Sequence, residues 1–240
     1  MNLPQIDIPR IIFECDLKVS QQTIKFSPFV VDDEKGFLAA GKSKDMLAVI
    51  ENFDSIIKPL IQTDIDLTKL AFVDILILYI NFRCKSKDEI YSGKLKKCKH
   101  CGQPNIEFEI DILKSLKFIN EDVLSCSYTV TDGLELKFKP IKRDFLFCAE
   151  KIKDEVDLYK YTIAHCIDMV IYNGEPYKDF TTDELFSKII SKMTVGQVSK
   201  AFDEISKMIQ MYVELEIKCP NKKCGKTTSL IEKNFLTLLK

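Results

Sequence analysis

Residues 98–102 read Cys-Lys-His-Cys-Gly and residues 219–225 read Cys-Pro-Asn-Lys-Lys-Cys-Gly, so two short turns each carry a cysteine pair and end in glycine. Structural zinc takes four ligands in a tetrahedron, and two such turns deliver four thiolates in that arrangement. A turn that closes on a metal often needs positive φ just past its second ligand, which suits the glycine at each end. The predicted zinc ligands are Cys98, Cys101, Cys219 and Cys224.

Other interpretations of these cysteines stay open. The four thiols could be ordinary reduced side chains in turns, or Cys98 and Cys101 could form a redox disulfide. The residues after Cys101 predict a strand rather than the helix start that thioredoxin-type chemistry requires. His100 could replace one cysteine as a ligand. Four thiolates fill the coordination shell of zinc, so the predicted site is structural rather than catalytic.

Alternating strand patterns flank both cysteine turns. Apolar residues alternate with acidic ones over residues 106–112, after the first turn. Val213, Leu215 and Ile217 point inward on a predicted strand that leads into Cys219, and a further strand leaves past Thr227. We therefore predict a split zinc-ribbon-like module, in which two cysteine knuckles share one zinc ion and join the end of the chain to its middle.

The remaining patterns predict an α+β fold of helical blocks and antiparallel hairpins. Asp132-Gly133 lies between two alternating runs, which is a strong hairpin signal. Capping boxes at Thr181 with Glu184 and at Thr194 with Gln197 predict two helix starts. Other predicted elements are a hairpin over 11–17 and 23–26, a helix from 46 that Pro59 limits, a helix over 72–83, and a helix over 159–171 that Asn173-Gly174 ends.

Four segments describe the predicted organisation, and we expect them to form one cooperative unit. They are residues 1–95, with a hairpin and helices; 96–120, with the first knuckle and a strand; 121–210, with a hairpin and helices; and 211–240, with the second knuckle and the C-terminal segment.

Composition narrows the class of protein. The chain has 240 residues, of which 46% are hydrophobic and 30% are charged, as in globular proteins. Its 35 basic and 36 acidic side chains nearly cancel, so no global field recruits nucleic acid or anionic lipid. The start of the chain lacks the pattern of a signal peptide, and nine cysteines without one indicate a reducing compartment. The longest apolar stretch, over 72–82, is far short of the roughly 20 residues that span a bilayer.

Residues 36–43 match the nucleotide-binding pattern GxxxxGK[ST]. A true phosphate loop follows a buried strand, whereas the acidic residues 32–35 come before this one and predict a helix start. Residues 70–74 could imitate a magnesium-binding strand end, but their apolar pattern continues as a helix. His165 and Cys166 are neighbours on a predicted helix and do not face each other. We therefore predict that the protein is not an enzyme.

Seven lysines lie in or beside the cysteine turns. A zinc ion with four thiolates carries a formal charge of about −2, which these lysines would offset. They could instead bind phosphate, although no aromatic residue among them would stack on a base. They are Lys96, Lys97, Lys99, Lys218, Lys222, Lys223 and Lys226.

The order of these motifs resembles the baseplate hub and hub-assembly proteins of T-even-type contractile-tailed bacteriophages. The resemblance runs from an N-terminal hairpin and Phe26-Ser27-Pro28-Phe29, through the first knuckle, to a final CPxxxCG knuckle with two more residues than CxxC. It implies a non-enzymatic protein of the virion tail baseplate, assembled in the host cytoplasm within an oligomeric complex, whose partners are other baseplate and tail hub proteins. An assembly factor absent from the mature virion is the first alternative. A zinc-ribbon nucleic-acid-binding protein or a P-loop nucleotide-binding protein is the second.

Overall fold

A computed structural model describes residues 10–30, 33, 35, 46–143, 145 and 152–232. Within these ranges helices alternate with sheets whose strand pairings are all antiparallel, which confirms the α+β class. The strands are β1 (Phe13–Asp16), β2 (Thr23–Phe26), β3 (Ile90–Lys97), β4 (Pro104–Asp111), β5 (Leu116–Ile119), β6 (Cys126–Thr131), β7 (Leu134–Phe138), β8 (Ile167–Tyr172), β9 (Glu175–Tyr177), β10 (Gln210–Lys218) and β11 (Thr227–Glu232).

The α-helices confirm most of the predicted helical segments. The helix that begins at Met46 ends just before a 3₁₀ turn at Lys58–Leu60, where Pro59 cannot supply a helical N–H. Both predicted capping boxes are present. The helices are α1 (Met46–Ile57), α2 (Phe72–Ser86), α3 (Ile112–Ser115), α4 (Glu155–Cys166), α5 (Thr182–Lys188) and α6 (Val195–Ile205), with further 3₁₀ turns at Leu67–Lys69 and Ile190–Lys192.

Helix α2 is the centre of the first core. Most of its side chains are buried, on all sides of the helix, because the β1–β2 hairpin, α1 and α3 all contribute to the same cluster. Ile112, Ile209 and Met211 belong to this core as well, so residues far along the chain complete it. No described helix is both long enough and apolar enough to cross a membrane.

The predicted helix over residues 159–171 is wrong in its second half. Helix α4 ends at Cys166, and Ile167–Tyr172 forms strand β8 between β7 and β9. Asn173 and Gly174 have φ values of 51° and 84°, as a two-residue hairpin turn requires at both central positions. The Asn-Gly pair is therefore a hairpin signal, and the β-branched residues before it prefer the strand.

Strands β6, β7, β8 and β9 form a four-stranded sheet that supplies one side of the second core. Leu136 and Phe138 on β7 are fully buried there, together with Ile163 and Ala164 of α4. Helices α5 and α6 add Leu185, Val198 and Ala201. This core lies between the two cysteine turns in sequence.

Two β elements carry the cysteine turns. Strands β3 and β4 form a hairpin, and β10 lies between β5 and β11 in a three-stranded sheet. A third core joins them, in which Ile106 and Ile110 of β4 cluster with Val213, Leu215 and Ile217 of β10. The predicted strand over 106–112 is one residue too long, because Asp111 caps the short helix that begins at Ile112. Strand β5 was not predicted. The segment boundaries at 95, 120 and 210 stay a prediction.

Candidate metal centre

The first knuckle is a tight turn at the end of the β3–β4 hairpin. The N–H of Cys98 donates to the carbonyl of Gln103 at 2.8 Å, and the N–H of Gly102 donates to the carbonyl of Cys98 at 3.0 Å. The N–H of His100 lies 3.4 Å from the sulfur of Cys98. Gly102 has φ of 74°, as the sequence pattern predicted, so the chain can reverse immediately after Cys101.

The second knuckle joins β10 to β11 in the same way, despite its two additional residues. The N–H of Cys219 donates to the carbonyl of Lys226 at 3.0 Å. The carbonyl of Asn221 accepts from Cys224 at 2.8 Å and from Gly225 at 2.9 Å, and its side-chain oxygen accepts from the N–H of Lys223. Asn221 therefore organises the longer turn, and Gly225 takes φ of 54°.

The four predicted ligands meet in one cluster. Their sulfur atoms all lie within 4.8 Å of one another. The sulfur of Cys101 is 3.7 Å from that of Cys219, and the sulfur of Cys98 is 4.0 Å from that of Cys224, so each close pair joins the two knuckles. With a Zn–S distance of about 2.3 Å, the sulfurs of a tetrahedral site lie about 3.8 Å apart. The geometry is therefore compatible with one zinc ion.

Polar contacts also join the two knuckles around the cluster. The ring nitrogen Nε2 of His100 lies 3.2 Å from the carbonyl oxygen of Thr227. The side-chain amide of Asn221 lies 4.0 Å from the sulfur of Cys101. His100 is outside the group of close metal-binding side chains found among the described residues. The ring thus serves as a link to the start of β11 in this arrangement.

The environment of the four sulfurs is uneven. Cys98 and Cys219 are only 2% and 4% exposed, whereas Cys101 is exposed and Cys224 is half-buried. Backbone N–H groups of His100 and Cys101 lower the pKa of the Cys98 thiol to about 6. Desolvation by burial raises the pKa of Cys219 to about 12. A cation at the centre of the cluster would stabilise all four thiolates, including that of Cys219, whose ionisation burial disfavours.

Other described cysteines lie away from this cluster and behave as small core residues. Burial raises the pKa of Cys15 and Cys166 to about 12, and that of Cys84 and Cys126 to about 11. These thiols stay protonated near neutral pH and are poor nucleophiles. Cys148 and the nucleotide-loop pattern at residues 36–43 lie outside the described residues.

His165 and Cys166 do not form a nucleophile–base pair. The ring of His165 packs edge-on against Phe145, with 5.5 Å between the ring centres. Cys166 belongs to the second core. Both side chains therefore have packing contacts in the structure.

The contacts of two buried charged side chains, Asp74 and Arg143, were not predicted. Asp74, which the sequence places in an apolar run, is fully buried and accepts from the backbone N–H groups of Val19 at 2.9 Å and Ser20 at 2.8 Å. Arg143 forms a buried ion pair with Asp54, and the hydroxyl of Tyr79 donates to Asp54 at 2.6 Å. A charged residue in an apolar run was the available signal for Asp74, whereas nothing local pairs residue 143 with residue 54.

The comparisons with known proteins identify the family. A family model described as T4 bacteriophage base plate protein matches residues 8–240. The chain therefore belongs to the T4 bacteriophage base plate protein family. Comparison with curated proteins found no match, and comparison with solved structures found none either. Membership supports a structural role in the phage baseplate, a location in the virion tail and interaction with other tail proteins.

Proposed function

We propose that this protein is a non-enzymatic structural component of the baseplate hub, held together by zinc on Cys98, Cys101, Cys219 and Cys224, and that it binds other baseplate and tail hub proteins. One observation carries the proposal. In a baseplate family member, two knuckles that are 118 to 126 residues apart bring four sulfurs within 4.8 Å of one another.

The proposed zinc would stabilise a part of the molecule that has little core of its own. The third core contains seven buried residues, two of which are the proposed ligands Cys98 and Cys219. Structural zinc on thiolates contributes about 10–16 kcal/mol of apparent binding free energy, and that energy becomes folding energy where the site forms only in the folded state. The ion would thus hold β10 and β11 against the β3–β4 hairpin and make the four segments one cooperative unit.

The same site argues against catalysis. Four thiolates occupy all positions of tetrahedral zinc, so neither water nor substrate reaches the ion. Asp74 and Arg143, the two least exposed charged side chains among the described residues, have structural partners, since Asp74 accepts from a backbone turn and Arg143 is paired with Asp54.

The metal test uses the purified full chain and a Cys98→Ser/Cys219→Ser variant. We expect about one zinc per chain, lost in the variant together with a large part of the stability. Cys126→Ser is the matched control, because Cys126 is half-buried in the second core and lies outside the cluster. Wild-type protein that binds no zinc after purification without chelator would overturn the zinc part of the proposal.

A separate measurement tests the place of the protein in the particle. Quantitative mass spectrometry of purified virions and of isolated baseplates should detect the chain at a fixed ratio to other hub proteins. Its absence from both, with presence in assembly intermediates, would replace the proposed role by that of a hub assembly factor. Family membership supports both roles equally.

A further inference from the structure

The two knuckles form a strongly basic end of the molecule. Residues 96–105 and 218–228, here called the basic tip, contain seven lysines and no aspartate or glutamate. All seven lysine side chains are exposed. They give the basic tip a charge of +7, so the net charge of −1 for the whole chain leaves −8 on the rest. A near-neutral protein is therefore divided into a basic end and an acidic body.

Nothing within the described part of the molecule neutralises this charge. The recorded ion pairs include none of the seven lysines, whereas Lys94, just outside the basic tip, pairs with Glu107 at 2.7 Å. A zinc ion on four thiolates would contribute about −2 and leave the basic tip at about +5. Like charges held together on rigid turns repel one another, and an external anionic surface removes that repulsion.

We infer that the basic tip is the docking surface for a carboxylate-rich surface of another baseplate protein. This inference rests on the proposed role among baseplate proteins and names the chemistry of the partner. The cross-knuckle contacts of His100 with Thr227 and of Asn221 with Cys101 hold the lysines of both turns on one unit. The partner therefore meets a preformed array of cations rather than two separate loops.

An acidic protein fits this surface better than a nucleic acid does. The basic tip contains no Phe, Tyr or Trp on which a base could stack, and its one aromatic ring, that of His100, lies 3.2 Å from the carbonyl oxygen of Thr227. It also contains none of the three arginines of the chain, which could bind phosphate through two parallel hydrogen bonds. A long polyanion would also extend beyond the basic tip onto a body with a charge of −8, which repels it. A folded partner can instead present a local acidic patch of matching size.

The test uses a tagged form of the protein that infecting phage express. The protein is isolated together with its bound partners, from virions or from assembly intermediates. A water-soluble carbodiimide joins lysine amines only to carboxylates in direct contact, and mass spectrometry then locates the linked residues. We expect Lys99, Lys222 and Lys223 to be linked to aspartates or glutamates of another tail protein. Absence of such links, with basic-tip lysines as open to acetylation in the assembly as in free protein, would overturn the inference.

Charge-reversal variants supply the control. The variant Lys99→Glu/Lys222→Glu/Lys223→Glu should lower recovery of the linked partner about tenfold. A tenfold loss of affinity corresponds to about 1.4 kcal/mol in total, and each of the three exposed ion pairs contributes only a fraction of that. Lys178→Glu/Lys192→Glu/Lys200→Glu makes the same change in net charge at exposed lysines outside the basic tip and should leave recovery within about twofold. Equal losses in both variants, or ultraviolet crosslinks from the basic tip to DNA instead of carboxylate links, would overturn the inference.

Zinc analysis separates this inference from the proposed function. None of the three substituted lysines is a proposed ligand, and the four other lysines of the basic tip still offset the charge of the zinc site. The basic-tip variant should therefore retain its zinc and its melting temperature. Carboxylate links in a protein without zinc would support the docking surface while contradicting the zinc site. Bound zinc without any carboxylate link would support the zinc site while contradicting the docking surface.

Discussion

The sulfur atoms of Cys101 and Cys219 lie 3.7 Å apart although 118 positions separate the two residues in the chain. The second core, with α4, α5, α6 and the four-stranded sheet, is built from the residues between them. The contact therefore joins the two ends of a segment that folds around its own apolar residues. A bond through zinc at this point would constrain that segment at both ends.

Removing the proposed metal should open the basic tip to protease. In zinc-loaded protein the knuckles are held by four metal bonds, and trypsin should cut slowly after Lys99, Lys222 and Lys223. A strong chelator should accelerate these cuts at least tenfold, because opening of the turns then costs little free energy. Cleavage after Lys200 on α6 serves as the internal control. Equal cleavage rates with and without chelator would show that no metal constrains the turns.

Loss of the Asp74 carboxylate should destabilise the N-terminal hairpin. Asp74 is fully buried and is the acceptor for two backbone N–H groups of the turn between β1 and β2. Hydrogen bonds to a charged group contribute about 1.5–3 kcal/mol each, so Asp74→Ala should lower the free energy of unfolding by about 3 kcal/mol or more.

Urea denaturation measures this loss. Asp74→Asn keeps one acceptor oxygen, so its free energy of unfolding should fall by about half as much as that of Asp74→Ala. Asp203→Ala removes an exposed carboxylate from α6 and should change the free energy of unfolding by less than about 0.5 kcal/mol. A loss of that small size in Asp74→Ala would show that the two N–H groups find other partners.

The buried Arg143–Asp54 pair should show strong coupling. The side chain of Arg143 is 3% exposed, and burial raises the pKa of Asp54, against the opposing effects of the Tyr79 hydroxyl and the Arg143 charge. Removal of one partner from a buried pair costs about 3–5 kcal/mol, because the other charge stays buried. Arg143→Met and Asp54→Leu should therefore each destabilise the protein strongly, and the double variant should lose much less than the sum.

A double-mutant cycle, with the stability of each variant measured by urea denaturation, gives the coupling free energy between Arg143 and Asp54. Tyr79→Phe removes only the hydroxyl that donates to the Asp54 carboxylate, and it is expected to lower the free energy of unfolding by about 1.5–3 kcal/mol. Additive losses in the double variant would show that the two charges act independently.

The capping box at α5 should make the stability of the protein depend on pH in the acid range. Bonds from Lys188 and from the backbone of Thr181 lower the pKa of Glu184 from 4.5 to about 2. A carboxyl with a lowered pKa in the folded state stabilises that state above the unfolded pKa and loses this effect as pH falls. The stability advantage of wild type over Glu184→Gln should therefore be full above pH 4.5 and vanish towards pH 2.

Thermal unfolding at several pH values tests this expectation. Asp183→Asn changes a neighbouring carboxylate in the same first turn and should show a smaller dependence over that range. A wild-type advantage that stays constant from pH 7 to pH 2 would contradict the assigned role of Glu184.

Much of the site was predictable from sequence because its geometry is local. Each knuckle is closed by bonds between residues at most seven positions apart, and Gly102 and Gly225 take the positive φ that their positions require. The capping boxes at Thr181 and Thr194 are likewise contained in four residues. The error at residues 167–171 arose where local signals compete. Helical spacing continues past Cys166, but pairing with β7 and the Asn173-Gly174 turn favour a strand.

The sequence alone determined the elements whose stabilising bonds lie within a few residues: the knuckle turns, the capped helices, the Asp132-Gly133 hairpin and the charge of the basic tip. Only the tertiary structure decided which elements meet. Strand β10 pairs with β5 on one edge and β11 on the other, Asp74 holds a turn 55 positions away, and Arg143 meets Asp54. These choices depend on burial shared between distant segments, and such burial leaves no periodic or local signal in the chain.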